Sequence, residues 1–494
     1  MRKLIGFMLC ALLALPALAA AATVDQLEKQ LQELQKQIDE ISASANKGEL
    51  HAATDKIQFY GDLRTKADSL TYRGIQWPMA TMLGMAPPEY NKNNTIVYTT
   101  RLRLNMKANV WDNVDFAGRL SMYKNWGDST GVKMMDSFGV TMDGTNGGNT
   151  TGDFLRVERA YFNWKDIGGS NFYLSIGRRP STYGPPTQYR ENELRGGTPS
   201  GHLVNFNFDG VTLGYHLSEL TGIEGQTIRF CYGQGYEAEL GNGDLMYTGA
   251  NLKDTHLGGF NVDVLDDGTN FVQLTLFRAQ DITDGFKGLA VMPMFDTDGD
   301  GIPDSLNSYG LISRLQASAN LGGLWIGGLG LSREEDNGIK YFLSLGASQS
   351  DPNGNVSLAG YGGLLSNNGD KDKKDGYSIY TGVQIPTGDI GKLGLEYNYG
   401  SRYWFNFTQA QDDMVGSKLA TRGHVGEAYY IVDINPNMFI KLGGLYYDFE
   451  YTGSGAPVGL PVKVKDVMTT PTTHAALPVI DKAYDAYASL TVKF

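Results

Sequence analysis

The chain has 494 residues, of which 41% are hydrophobic and 19% charged, with 63 glycines, 28 tyrosines and 17 prolines. A formal net charge of −12 argues against nucleic acid as a partner. Beyond the first 20 residues no run of 18 apolar residues occurs, which excludes a transmembrane helix, and the glycine and tyrosine content suits strands and turns.

In chain order, Arg2 and Lys3 precede the apolar stretch "LIGFMLCALLALPALA" and small residues up to Ala22. This pattern predicts an export signal over residues 1–22, cleaved after Ala19 or Ala22. Cys10 leaves with it, so Cys231 becomes the single cysteine of the mature chain, and no disulfide or cysteine-based metal or haem site is expected. Residues 23–43 space Val24, Leu27, Leu31, Leu34, Ile38 and Ile41 alternately by three and four, the seam of a short coiled-coil helix. Fewer than three heptads are marginal alone, so the segment predicts a homo-oligomer, with dimer and trimer both open. A single amphipathic helix lying on the rest of the protein is the alternative. Residues 44–55 read as a polar linker, and residues 56–494 as one barrel domain.

From Ile57 onward short segments alternate with period two. In "IVYTTRLRLNMKANV", Ile96, Tyr98, Leu102, Leu104, Met106, Ala108 and Val110 share one face, while Thr99, Arg101, Arg103, Asn105, Lys107 and Asn109 share the other. About 18 such segments are predicted, among them 309–320, 323–332, 339–348 and 355–365. Their connections alternate between tight and long, with "WDN" (111–113), "DDGTN" (266–270), "NLGG" (320–323), "PTGDIG" (386–391) and "NPN" (435–437) among the tight ones. The fold class expected is therefore all-β, a transmembrane antiparallel barrel of about 18 strands whose tight turns and termini face the periplasm. The sheet must close, because lipid satisfies no backbone group, and so the last strand must pair with the first.

The last strand, "YDAYASLTVKF", places Leu490, Val492 and Phe494 on its oily side. It resembles the C-terminal signal that the barrel assembly machinery of the outer membrane recognises, which implies that machinery and outer-membrane lipid as partners. A second resemblance sits at "GRRPSTYGPPTQYRENELRGGTPSG" and "LVNFNFDGVTLGYHL", taken with the export signal and coiled coil. Together they resemble a family of functionally uncharacterised, porin-like outer-membrane proteins of Gram-negative bacteria. The resemblance implies fold and location and supplies no substrate.

Three groups of residues are candidates for function. Arg178, Arg179, Arg190, Glu191, Glu193 and Arg195 lie in a loop stiffened by Pro180, Pro185 and Pro186, which suits a charged channel constriction folded into the lumen. An external loop of solvated ion pairs is the alternative. Strand parity turns Arg64, Lys66, Arg101, Arg103, Lys107, Arg119 and Arg159 inward as a basic wall, opposite a neutral wall carrying Gln316, Asn320, Ser344, Gln384, Asn398, Tyr429 and Tyr487. That asymmetry predicts anion preference; ordinary ion pairing inside the lumen, without functional consequence, is the alternative. "DTDGDGIPDSLN" (296–307) offers Asp296, Asp298, Asp300, the Ile302 carbonyl, Asp304 and Asn307 as ligands for Ca²⁺. Asn307 stands where a bidentate acid would tighten binding, so the site is expected to be weak and structural.

The six histidines form no metal-ligand spacing, and no catalytic constellation is expected. The expected function is passive diffusion of small polar solutes through an outer-membrane pore. A loop-plugged barrel acting as a surface adhesin, a scaffold or the sleeve of a larger complex is the alternative.

Overall fold

Alternating faces become a wall when each strand finds two neighbours, and sixteen strands of this chain do so in a closed antiparallel ring. The computed structural model describes residues 34–36, 57–82, 84, 86–127, 155–207, 209–238, 252–284, 288–291, 312–315, 317, 319–356, 362–408, 410, 413–470 and 478–494. The chain divides into two units, Met1–Ile57 and Gln58–Phe494. In the first, residues 34–36 are helical and the remainder of the coiled-coil segment lies outside the described residues.

The second unit begins with β1 (Ile57–Ile75), β2 (Tyr90–Trp111), β3 (Val114–Asn125), β4 (Arg156–Trp164) and β5 (Phe172–Arg178). A two-residue strand, β6 (Val204–Asn205), precedes β7 (Asp209–His216), β8 (Thr227–Tyr236), β9 (Thr255–Asp266) and β10 (Asn270–Thr283). Then come β11 (Gly288–Val291) and β12 (Ile312–Leu315), which pair only with each other, and β13 (Asn320–Glu334), β14 (Lys340–Pro352), β15 (Lys374–Thr387) and β16 (Gly391–Gly400). Last are β17 (Phe407–Thr408), β18 (Gly423–Asn435), β19 (Met438–Phe449) and β20 (Lys482–Lys493). The ring follows chain order, omits β6, β11, β12 and β17, and closes where β20 pairs with β1.

The pleat decides what each side chain meets. Ile96, Tyr98 and Val110 of β2 point outward and are exposed, while Thr99, Arg101, Arg103 and Asn105 point inward and are buried. In β20, Leu490, Val492 and Phe494 are outward, and Asp485, Tyr487, Ser489 and Thr491 are inward. Trp111, Trp126 and Trp164 are exposed near strand ends, where an interfacial aromatic belt lies. The terminal residue is stitched into the seam: Gly61 donates its N–H to the Phe494 carbonyl at 2.8 Å and accepts from the Phe494 N–H at 3.0 Å. A Cβ on Gly61 would stand 2.2 Å from the Arg103 carbonyl oxygen of β2 and 2.9 Å from the Phe494 ring, so only glycine lets β1 approach β2 and the Phe494 ring there.

Two of the expected wall strands are absent from the ring. Within 309–320, residues 312–315 form the hairpin partner of β11, outside the barrel, and Asn320 already belongs to β13. The described residues of the stretch 355–365 contribute isolated bridges at Gly363 and Leu364, and β14 pairs directly with β15. "NLGG" is the beginning of β13 rather than a turn, so residues 323–332 and 339–348 run in the senses opposite to those expected. Removing two strands preserves even parity, which is why loop lengths alone did not reveal the error. An alternating stretch looks the same whether it joins a wall or folds beside one.

Candidate functional site

The lumen is occupied by two segments of the chain itself. Residues 179–207, between β5 and β7, and the described residues 401–408 and 413–422, between β16 and β18, fold inward and are largely buried. They join through a parallel pair, β6 with β17, in register Val204–Phe407 and Asn205–Thr408. Leu203, Val204 and Phe206 of the first segment pack with Trp404, Phe405 and Phe407 of the second in an apolar core against Leu257, Phe277, Leu324 and Ile326 of the wall. The wall makes room for them: a Cβ on Gly346 would stand 2.5 Å from the Trp404 ring. His202 is fully buried, with Nδ1 2.9 Å from Ser344 Oγ and Nε2 2.8 Å from Ser378 Oγ. Burial with no ionic partner pushes its imidazole down to about 3.

The other half of the lumen is ionic. Arg101 reaches Asp62 at 2.9 Å, Glu191 at 3.1 Å and Glu193 at 3.3 Å. Arg103 bonds Asp62 at 2.7 Å and also contacts Glu193, while Arg64 lies 3.3 Å from Glu191. Burial opposes a charge on Glu191, yet Arg64, Arg101 and Arg190 hold its carboxyl well below the usual carboxylate range. Lys66 pairs with Asp68 at 2.5 Å, and Arg119 and Arg159 flank Glu158 at 3.1 and 3.6 Å. Arg159 also donates to the carbonyls of Gly196 and Thr182. Lys107 is exposed near the short-turn end of β2. The inward basic side chains are thus interleaved with carboxylates, Asp62, Asp68 and Glu158 from the wall and Glu191 and Glu193 from the infolded segment.

The six loop residues expected at a constriction separate into three roles. Arg190, Glu191 and Glu193 span the lumen and meet the wall. Arg179 lies flat against it, donating to Ser175 Oγ and Thr212 Oγ1. Arg178 pairs with the largely exposed Asp209 at 3.1 Å, and Arg195 reaches Asp266 at 2.5 Å on the short-turn side. There a cavity of about 670 Å³ is lined by Gln188, Glu193, Leu194, Arg195, Lys340 and Lys493.

The wall facing the basic strands is not neutral. Asn320, Ser344, Gln384, Asn398, Tyr429 and Tyr487 do point inward and are buried, but Glu396, Glu427 and Lys441 lie among them. Gln316 and the calcium-type stretch 296–307 lie outside the described residues. Glu396 and Glu427 were legible in principle: each shares the inward parity of a residue already assigned to the lumen, Asn398 and Tyr429. What parity could not give was their partners, which come from loops.

A closed antiparallel cylinder with an apolar outside and charged side chains within is a transmembrane β-barrel of the bacterial outer-membrane type. Residues 91–494 match the family described as a protein of unknown function (DUF3373), and the chain belongs to that family. No curated protein matches the sequence. Among solved structures the chain is similar to the trimer form of OmpT from Vibrio cholerae, with 13% identity and a TM-score of 0.43 over 89% of this chain and 99% of that one. It is also similar to an anion-selective porin from Comamonas acidovorans, at 10% identity and a TM-score of 0.45, covering 89% and 99%. OprB of Pseudomonas putida matches at 9% identity and a TM-score of 0.44, covering 90% and 96%.

Proposed function

We propose that this protein is a narrow channel for passive diffusion of small polar solutes across the outer membrane. The observation that carries this is the strip Arg190–Glu193, which crosses the barrel interior and meets wall charges on both sides above a polar cavity. A fixed array of opposed charges at a narrowing screens solutes by size and orients their dipoles. Anion preference is weak in this proposal, because Asp62, Glu158, Glu191 and Glu193 offset the arginines around them.

One observation favours a second reading. Arg101 and Arg103 are only 3% and 2% exposed, and Trp404, Phe405 and Phe407 are buried beside one another. A barrel sealed at that level would serve as an adhesin, a scaffold or the sleeve of a larger complex.

Single-channel recording of the mature protein in a planar bilayer under a salt gradient separates the two. Small ohmic steps with a reversal potential near zero or slightly toward anions are expected. A silent bilayer containing demonstrably folded protein would favour the sleeve, and a strongly cation-selective potential would reject the anion preference.

A further inference from the structure

Two of the charges that fix the infolded segments, one from each, meet at one wall residue. Glu427 of β18 has a side chain with no solvent exposure. Arg190 Nε, from the first segment, donates to its Oε1 at 2.9 Å. Lys418 Nζ, from the second segment, donates to its Oε2 at 2.6 Å. Tyr487 of β20 donates its hydroxyl at 2.6 Å, and Lys441 of β19 lies 3.9 Å away.

The segments are also tied to each other without help from the wall. Arg190 Nη2 donates to Asp413 at 2.5 Å, Asn406 Nδ2 to the His202 carbonyl at 2.7 Å, and the Phe407 N–H to the Leu203 carbonyl at 3.0 Å. They are therefore one mechanical body with two charged attachments to a single carboxylate.

We infer that Glu427 is a latch holding this double segment against the wall, and that its release widens the lumen; the consequence for conduction rests on the channel function proposed above. The charge count at the corner gives the reason. Arg190, Lys418 and Lys441 face Glu427, Glu396 and Asp413, three cations against three anions. Glu191, 3.7 Å from Arg190, is already engaged by Arg64 and Arg101. Removing the charge of Glu427 leaves three buried cations facing two carboxylates. Buried charge without compensation is costly, and the body that carries two of the three cations is the part free to move. The same body is held elsewhere by Glu191 and Glu193 against Arg64, Arg101 and Arg103, by Lys418 against Glu396, and by the neutral contacts of His202 and the apolar core, so Glu427 is the attachment shared by both segments.

The test uses the full mature chain with two readouts. The first is single-channel conductance of Glu427→Gln, which keeps the side-chain shape; an increase of about twofold or more over the parent protein is expected from a wider path. The second is the rate at which a membrane-impermeant maleimide labels Leu203→Cys in a Cys231→Ser background, with and without Glu427→Gln. Leu203 is 1% exposed, so labelling reports release of the segment whether or not current flows. Acceleration of roughly tenfold is expected on release, the factor that corresponds to about 1.4 kcal/mol. Unchanged labelling in a Glu427→Gln protein that folds as the parent does overturns the latch, whatever the conductance. Accelerated labelling without current upholds the latch and overturns the channel. Should Glu427→Gln not assemble, Arg190→Gln tests the same attachment from the segment side, and unchanged labelling there also overturns the latch.

Discussion

His202 is a base held where it cannot take up a proton. Its ring lies between Ser344 and Ser378, near Trp404 and Tyr380, and burial lowers it from 6.5 to about 3. With the segment docked the ring stays neutral, whereas in a released segment it titrates at the ordinary value. Docking is therefore at full strength above pH 6.5 and weakens as pH falls from there toward 3, because only the released form gains the proton. Glu191 acts with the same sign at lower pH, since its depressed carboxyl loses its contribution as pH falls through the docked value. Labelling of Leu203→Cys, corrected for thiol reactivity, should accelerate between pH 7 and 5 by at most roughly tenfold per pH unit below 6.5. His202→Gln, which can still bond both serines, should flatten that profile; a wild-type profile that is already flat would exclude the histidine as its cause.

At the scale of elements, the seam between β1 and β20 shows how a local signal becomes a contact. The alternation of "YDAYASLTVKF" fixed which side chains face outward, and the structure places Leu490, Val492 and Phe494 there. The partner, Gly61, could not be read from that strand. It is selected by the ring's closure and by the lack of room for a Cβ. Gly61→Val should reduce the folded, heat-modifiable fraction in the outer membrane severalfold, as should deletion of Phe494; unaltered assembly of both would remove the seam as a closing step.

The strands misjudged from sequence failed for a related reason. Residues 312–315 alternate as a wall strand does, yet their neighbour is β11, and Leu364 and Leu365 are buried in the apolar core. Alternation reports two different environments on two faces, not which environments they are.

The stretch 296–307 remains a proposal from its ligand spacing alone. Millimolar Ca²⁺ should raise the melting temperature of the purified protein, and Asp298→Asn with Asp300→Asn should abolish the shift. Absence of any shift in the parent protein would reject the site.

Across the whole molecule, sequence determined a two-faced strand repeated along the chain, an even parity of connections and therefore a closed cylinder. These follow from short-range rules: a period-two pleat and the requirement that every backbone group in lipid be bonded. Tertiary structure decided what fills the cylinder. Arg190 meets Glu427 across 237 residues and Arg64 meets Glu191 across 127. No periodicity predicts such pairs, since they depend on barrel register and on the path of two loops. The same path turned an expected basic wall into a compensated one and replaced water with an apolar core over β9, β10 and β13. Inward-facing apolar residues such as Phe277 and Ile326 look in sequence like lipid-facing ones, because hydrocarbon and a packed protein interior exclude water alike.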